Sequence, residues 1–474
     1  MRARVQEVRF GVRSCTARLP FRFGVSTLTW APSLAARVVI ESEAGRAVGH
    51  AENLLVPKWF EKDPSKSLRD DVEGLVASAV AAGELAERGE ESTLFELWWR
   101  LYRERVHVLP QDAPDRLLRG FGVALVERAA IDAWCRASGT SFFDALRGDL
   151  FGLRAGEVYA ELEGWTAAEG LPAAPLAQVD LRHTIGLVDP LRAATIPAGE
   201  RVDDGLPEAL EEVVAAYAPR WFKLKLRGDP ELDLPRCLAF AEVLEERVGE
   251  DWALTVDGNE QFESPEDLVA TLRRLGEDPR GRALLERLRL IEQPLSRLRS
   301  FEESARGGLA ELASFAPVIL DEADHGIEAL PRALELGYGG VSTKNCKGVL
   351  RAVLHRGLCA ARGAVQSAED LTNLGVLALQ QDLCTVAALG IPHVERNGHH
   401  YFRGLDHLSR REARSAVEVH GDLWHADGVL RHLRVEAGSL QLGSLQGVGF
   451  GYASEIDWES RTPLEAWSWP PERA

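Results

Sequence analysis

Trp221-Phe-Lys-Leu-Lys-Leu226, Leu254-Thr-Val-Asp-Gly-Asn-Glu260, Leu290-Ile-Glu-Gln-Pro294, Val318-Ile-Leu-Asp-Glu322 and Gly340-Val-Ser-Thr-Lys344 are short, largely apolar runs that carry charges at their ends. Each is too short for a helix and leads into helical periodicity, the pattern of a parallel βα repeat. The repeat extends in both directions, from Leu181-Arg-His-Thr-Ile-Gly186 to strands at 364–367 and 391–395. Eight strands alternating with helices over roughly 210 residues predict a (β/α)8 barrel, its last helix replaced. In the helix after the second strand, Leu234, Cys237, Leu238, Ala241, Leu244 and Val248 recur at helical spacing, as a helix lying against a barrel requires.

Side chains at the C-terminal ends of barrel strands converge on one site. In Lys223-Leu-Lys225 the two lysines share a face, leaving Phe222 and Leu224 for the outer helices. Asp257, Glu292 and Asp321 end three successive strands, about 35 and 29 residues apart, near one βα unit each. Singly, each acid reads as a turn residue or helix cap. Together they place three carboxylates at one face, a set that repels itself unless a cation lies among them. Oxygen-only ligation selects a hard ion, Mg2+ first, with Mn2+ as a substitute. Lys344 ends the sixth strand, across the barrel from Lys225. Lys347 reads as a solvated helix start, and Glu322 as the partner of a lysine. Glu260, Glu369, Asp370, His399 and His400 are charged or polar residues near strand ends without an assigned role.

Before the barrel, residues 1–50 alternate apolar and polar, predicting a small antiparallel sheet. Residues 67–134 change to helical period, three helices in all. Strands followed by helices without alternation make an α+β unit ending near Gly148. Two aromatic-rich loops interrupt it, at 21–31 with Trp30 and 52–62 with Trp59. The expected organisation is a capping domain over 1–148, a barrel over 149–404, and a segment over 405–474. That last segment forms short strands returning to the cap, since a closed barrel offers no edge.

A net charge of -18 and a pI near 5.3 exclude nucleic acid and anionic membrane as partners, both of which need a basic face. Six cysteines without a close pair argue against zinc or a disulfide framework and fit a reducing cytoplasm. No window reaches the roughly 18 apolar residues of a membrane span.

The ordered set Lys223-Leu-Lys225, Asp257-Gly-Asn259, Ile291-Glu-Gln-Pro294, Asp321-Glu322 and Lys344 resembles the enolase superfamily, closest to its muconate-lactonizing-enzyme subgroup. Ala124-Leu-Val-Glu-Arg-Ala-Ala-Ile-Asp-Ala-Trp134 and Phe142-Phe-Asp-Ala-Leu146 extend the likeness into the cap. The resemblance implies a modified (β/α)7β TIM barrel under an N-terminal α+β cap. It implies Asp257, Glu292 and Asp321 as Mg2+ ligands, Lys225 and Lys344 as the acid/base pair, and Lys223 as the charge beside a substrate carboxylate. The two aromatic loops stand where that family's cap closes over substrate, so Asn259, Trp30 and Trp59 are the expected substrate contacts. Asp-Gly-Asn for the commoner Asp-Ala-Asn, and Ala323 where Ser is usual, depart from the pattern without removing a ligand.

The chemistry implied is removal of the proton α to a carboxylate of a small-molecule substrate, through an enediolate. A lysine on either face gives racemisation or epimerisation, and the same site run as an addition or its reverse gives cycloisomerisation. Elimination, as in a succinylbenzoate-synthase-like or acid-sugar dehydratase, is the alternative. A non-catalytic carboxylate- or metal-binding barrel is a third reading, because fold alone does not grant activity. The resemblance also admits a homo-oligomer.

Overall fold

A computed structural model describes residues 1–23 and 26–469. The chain begins with an antiparallel meander, β1 (Ala3–Phe23), β2 (Ser26–Ser42) and β3 (Gly45–Leu54), followed by α1 (Leu68–Glu87), α2 (Leu94–Tyr102) and α3 (Arg116–Ser138). The first two helices start on reciprocal caps, Ser67 with Asp70 and Thr93 with Glu96, which satisfy backbone donors that the helix itself leaves open. Every residue of α3 from Phe121 to Cys135 is buried, because the helix lies between the sheet, α1 and the barrel. Gly49 permits this closeness: a Cβ there would stand 2.2 Å from the carbonyl oxygen of Ala129.

The barrel strands are β4 (Gln178–Ile185), β5 (Trp221–Lys225), β6 (Ala253–Asp257), β7 (Leu288–Glu292), β8 (Val318–Leu320), β9 (Gly340–Thr343), β10 (Val365–Ala368) and β11 (His393–Arg396). All are parallel and ordered by sequence, with β11 back beside β4. A parallel bridge between Glu369 and Glu395 closes the ring. The segment between the third and fourth barrel strands is long because it holds two helices, 265–275 and 279–286.

After the barrel come a hairpin, β12 (Trp424–Asp427) and β13 (Leu430–Leu433), then β14 (Ser439–Gln441) and β15 (Thr462–Pro463). Of these strands β15 returns to the cap, pairing with β1, and β14 pairs antiparallel with Gln178–Asp180 of β4; the tail also bridges the cap at Gly449, opposite Ser141. The barrel therefore does offer an edge. β4 starts before its neighbour, since pairing with β5 begins only at Arg182, and the free N-terminal residues of β4 receive β14.

The cap is fastened to the barrel by side chains of α3. The buried Glu127 carboxylate accepts from the backbone N–H groups of Val349 (3.3 Å) and Leu350 (2.6 Å), the first turn of the helix that follows β9. Burial pushes this carboxyl up to about 7. Within the cap, Arg128 ties α3 to β3, donating to Glu52 O and Asn53 Oδ1. The segment carrying Lys344 is thus held from above as well as by its own strand.

Candidate active site

Alternation along β5 turns Lys223 and Lys225 inward, as the pattern predicts, and sends Phe222 and Leu224 into the surrounding core. Lys223 is fully buried. Its Nζ lies 2.9 Å from Asp257, 2.7 Å from Glu292, 3.0 Å from Glu369 and 2.6 Å from Glu395. Lys225 Nζ donates to Asp257 Oδ2 at 2.6 Å. Lys344 Nζ donates to Asp321 Oδ2 at 2.7 Å and lies 3.2 Å from Glu369. The six residues expected to hold a metal or move a proton, with Lys223 among them, are thus joined in one buried ionic cluster.

Two carboxylates enter this cluster that the sequence reading left aside. Glu369, named there without a role, ends β10 and accepts a hydrogen bond from Ser342. Glu395, on β11, was missed, and it accepts from Thr184. Its signal was present in the inward alternation of His393 and Glu395, but a lone acid inside the last strand carries little weight without its neighbours. Lys347 corrects the expectation of a solvated helix start: it is buried and donates to the carbonyl of Ser342 (2.6 Å) and to Asp321 Oδ1 (3.2 Å). A short 3-10 turn after Lys344 folds it back under the site. Glu322 has Lys62 at 3.9 Å and Asn259 Nδ2 at 3.5 Å; burial and the adjacent Asp321 push its carboxyl up to about 7.

Burial works upward on every carboxylate here, and the ammonium groups decide which ones escape it. Against burial, Lys223 and Lys225 hold Asp257 down at about 2. Lys223 and Lys344 likewise hold Glu369 well below the usual range. Glu292 is not rescued: burial and the charge of Glu369 push it well above. Burial would lower the two amines, but the surrounding acids hold Lys223 and Lys344 well above the usual lysine value.

A chamber of only about 20 Å3 lies over the cluster, walled by Lys225, Asn259, Lys344, Glu369 and Glu395 from the barrel and by Phe21, Val56 and Trp59 from the cap. The Trp59 ring sits 4.4 Å from Lys344 Nζ, a cation–π contact. Loop 52–62 is held there by Arg297, which donates to the carbonyls of Trp59 (3.0 Å) and Phe60 (2.9 Å) and pairs with Glu260. Lys62 completes the tie to Glu260. Trp30 stands apart from the chamber, its ring edge-on to Trp469 at 5.2 Å. The expected loop 21–31 is instead mostly hairpin, so alternation along β2 fixes where Trp30 lies; residues 24–25 of that loop fall outside the described residues. Phe21, stacked on Tyr401, reaches the chamber in its place. His399 and His400 cluster with His183, and neither lines the chamber. Asp370 does line it, and its carboxylate pairs with Arg396 at 2.5 Å. Larger clefts, of 740 Å3 beside Arg116 and 510 Å3 beside Pro190, bring no comparable set of groups together.

The donor set suits a hard divalent ion. Oxygens of Glu292, Asp321 and Glu369 lie within 4.8 Å of one another, and all three residues are buried.

A model of the family described as enolase C-terminal domain-like matches residues 205–456, more than half of the chain. The chain belongs to the enolase superfamily. Within it, solved structures of the mandelate racemase/muconate lactonizing branch share the whole fold. A mandelate racemase/muconate lactonizing protein from Herpetosiphon aurantiacus superposes with a TM-score of 0.63 at 16% identity, covering 96% of this chain and 99% of that one. The muconate lactonizing enzyme of Pseudomonas fluorescens, solved with muconolactone, gives 0.61 at 15%, covering 97% and 99%. The dipeptide epimerase of Enterococcus faecalis V583, solved with Mg and L-Leu-L-Tyr, gives 0.59 at 16%, covering 94% and 99%. No curated protein matches by sequence. This enolase-superfamily member also has, among its described residues, no helix long and apolar enough to cross a membrane.

Proposed function

We propose that this protein is a Mg2+-dependent enzyme that removes and returns the proton α to a substrate carboxylate, acting as a racemase, epimerase or cycloisomerase. The observation that carries this reading is the chamber itself: Lys225 and Lys344, from strands four places apart in the ring, both line it above a cluster of buried acids. Asp257, Glu292 and Asp321, with Glu369 beside them, would hold a divalent cation, which would supply Lewis acidity toward a substrate's carboxylate oxygens.

The chain's own groups do the rest. Lys225, hydrogen-bonded to Asp257, is the candidate base; an amine abstracts a proton only in its neutral form. Lys344, kept protonated by Asp321 and Glu369, is the candidate donor to the opposite face. Lys223 supplies fixed positive charge beneath the carboxylate site. Trp59, Phe21 and Val56 exclude water. A chamber of about 20 Å3 holds roughly one water molecule, so a substrate is admitted only when this wall moves. No histidine lines the chamber among the described residues, which favours the two-lysine chemistry over an acid-sugar dehydratase.

Hydrogen exchange tests the proposal. Incubation in D2O with Mg2+ and a panel of carboxylates, N-acyl amino acids and dipeptides should wash deuterium into the α position of a substrate. Loss of exchange in Lys225→Ala and Lys344→Ala, with metal binding retained, assigns the bases. Metal binding without exchange across the panel would instead support a binding protein, and product formation with loss of a β substituent would support elimination.

A further inference from the structure

The chain has only seven lysines. Four of them, Lys223, Lys225, Lys344 and Lys347, lie buried at the barrel mouth, and the other three, Lys58, Lys62 and Lys66, lie in the segment between β3 and α1 that carries Trp59. That segment is braced from within. Lys58 Nζ donates to the carbonyls of Asp63 (2.9 Å) and Lys66 (2.6 Å) and pairs with Asp71 of α1 at 3.1 Å, while Lys66 pairs with Glu61 at 2.6 Å. Its hold on the barrel is of another kind. Among the described residues, every hydrogen bond and ion pair from this segment to the barrel runs through Lys62 or Arg297, and both meet at Glu260. Glu260 accepts from the Arg297 backbone N–H at 2.6 Å and from its guanidinium at 2.9 Å. These ties are open to solvent in part, with the side chain of Lys62 28% exposed and that of Arg297 12%. The wall on the Phe21 side is anchored in the interior instead. Arg18, 2% exposed, grips Asp204 through two hydrogen bonds (2.7 and 2.8 Å) and donates to the carbonyls of Leu206, Pro207 and His400.

Resting on the reading of the chamber as the place of the substrate, we infer that residues 57–66 are a flap that opens as one piece on the Trp59 side, and that Glu260, Lys62 and Arg297 are its latch. The three are positioning residues. They act through Trp59, which covers Lys344 while the latch is shut. Part-exposed ion pairs are weak and screened by salt, so the latch can release in each catalytic cycle, while the brace around Lys58 keeps the flap intact.

The lysines themselves report the motion without any substrate. Reductive methylation of the full-length protein, read lysine by lysine in a mass spectrometer, should modify Lys62 and Lys66 quickly, Lys225 and Lys344 slowly, and Lys223 and Lys347 hardly at all. Glu260→Gln and Arg297→Gln should each speed modification of Lys225 and Lys344 by at least about fivefold, with Glu260→Asp in between and Lys223 and Lys347 still protected. Salt raised from about 0.05 to about 0.5 M should speed the wild type in the same way and Glu260→Gln less. Unchanged rates at Lys225 and Lys344 in both latch variants overturn the assignment. So does equal acceleration at Lys223 and Lys347, which would mean general loosening, or acceleration by Arg18→Gln alone, which would put the opening on the Phe21 side. If Glu260→Gln does not fold, Lys62→Gln takes its place under the same criteria. The proposed chemistry is judged separately: latch-dependent labelling in a protein that exchanges no α-hydrogen would sink the chemistry and leave the flap.

Discussion

The mouth of the barrel and the seam between cap and tail both bury ionised side chains, and they differ in charge balance. At the seam, Arg13 of β1, Glu52 of β3, Glu412 and Arg461 interlock: Arg461 lies 3.0 Å from Glu52 and 3.5 Å from Glu412, and Arg13 also pairs with Glu412. Two cations meet two anions, so the cluster is complete in itself. At the mouth, Asp257, Glu292, Asp321, Glu369 and Glu395 meet Lys223, Lys225, Lys344 and, through Asp321, Lys347, so the acids outnumber the ammonium groups by one. A balanced buried cluster is an anchor. An unbalanced one calls for a ligand of opposite charge, and a divalent cation has the required size and sign.

The contrast makes the two clusters separable by mutation. The largest expected effect is catalytic: Lys225→Ala or Lys344→Ala should cut α-proton exchange by about 10²–10⁴-fold, whereas seam variants should leave the exchange rate per folded molecule unchanged. Exchange loss of the same size at the seam would erase the distinction. Next in size is stability. Arg461→Met takes the ion-pair partner from the buried Glu52, while Glu412 keeps Arg13, and should cost about 3–5 kcal/mol in urea unfolding; a cost under about 1 kcal/mol would mean that the seam is no anchor.

Acid probes the seam through Glu52. Burial works upward on Glu52, but Arg461, Arg13, His407 and the Ser33 hydroxyl outweigh it and hold the carboxyl at about 2, below the usual 4.5. A carboxyl depressed on folding contributes fully above its unfolded value. That contribution, roughly 3 kcal/mol, is lost as pH falls from about 4.5 toward 2. Glu412 shifts the other way through burial, so Glu52→Gln is the clean comparison, and it should flatten the acid limb of a stability–pH curve. A smaller effect belongs to the mouth: Mg2+ at 100 times its Kd should raise stability by about 2.7 kcal/mol. The gain should vanish in Glu292→Gln and persist in Glu52→Gln, as read by thermal shift. The smallest is Trp59→Ala, which removes a cation–π contact of about 1 kcal/mol from Lys344 and opens the chamber. The substrate KM should change more than kcat, and an unchanged KM would show that Trp59 does not guard the chamber.

Much of the scaffold was legible because its signals are local. Apolar runs of strand length, helical spacing between them and a charge at each end located the eight barrel strands, among them Ala253–Asp257 and Leu288–Glu292, without tertiary information. What misled were residues whose surroundings come from elsewhere in the chain. Lys347 looks like a solvated helix start until the turn after β9 tucks it beneath Asp321. Trp30 looks like a lid residue until the β1–β2 register assigns its place and brings it beside Trp469, far along the sequence. Glu395 has no neighbour in sequence to mark it, and only ring closure brings it against Lys223.

By itself, the order of residues determined the barrel, the cap's strand-then-helix plan and the two lysines of β5, since periodicity and strand-end position are properties of a single segment. Only the tertiary structure decided which acids cluster together, which ring stands over Lys344, and where the tail finds an edge. Those depend on distances between segments tens to hundreds of residues apart, and side-chain oxygens must meet within a few ångströms before charge can couple them.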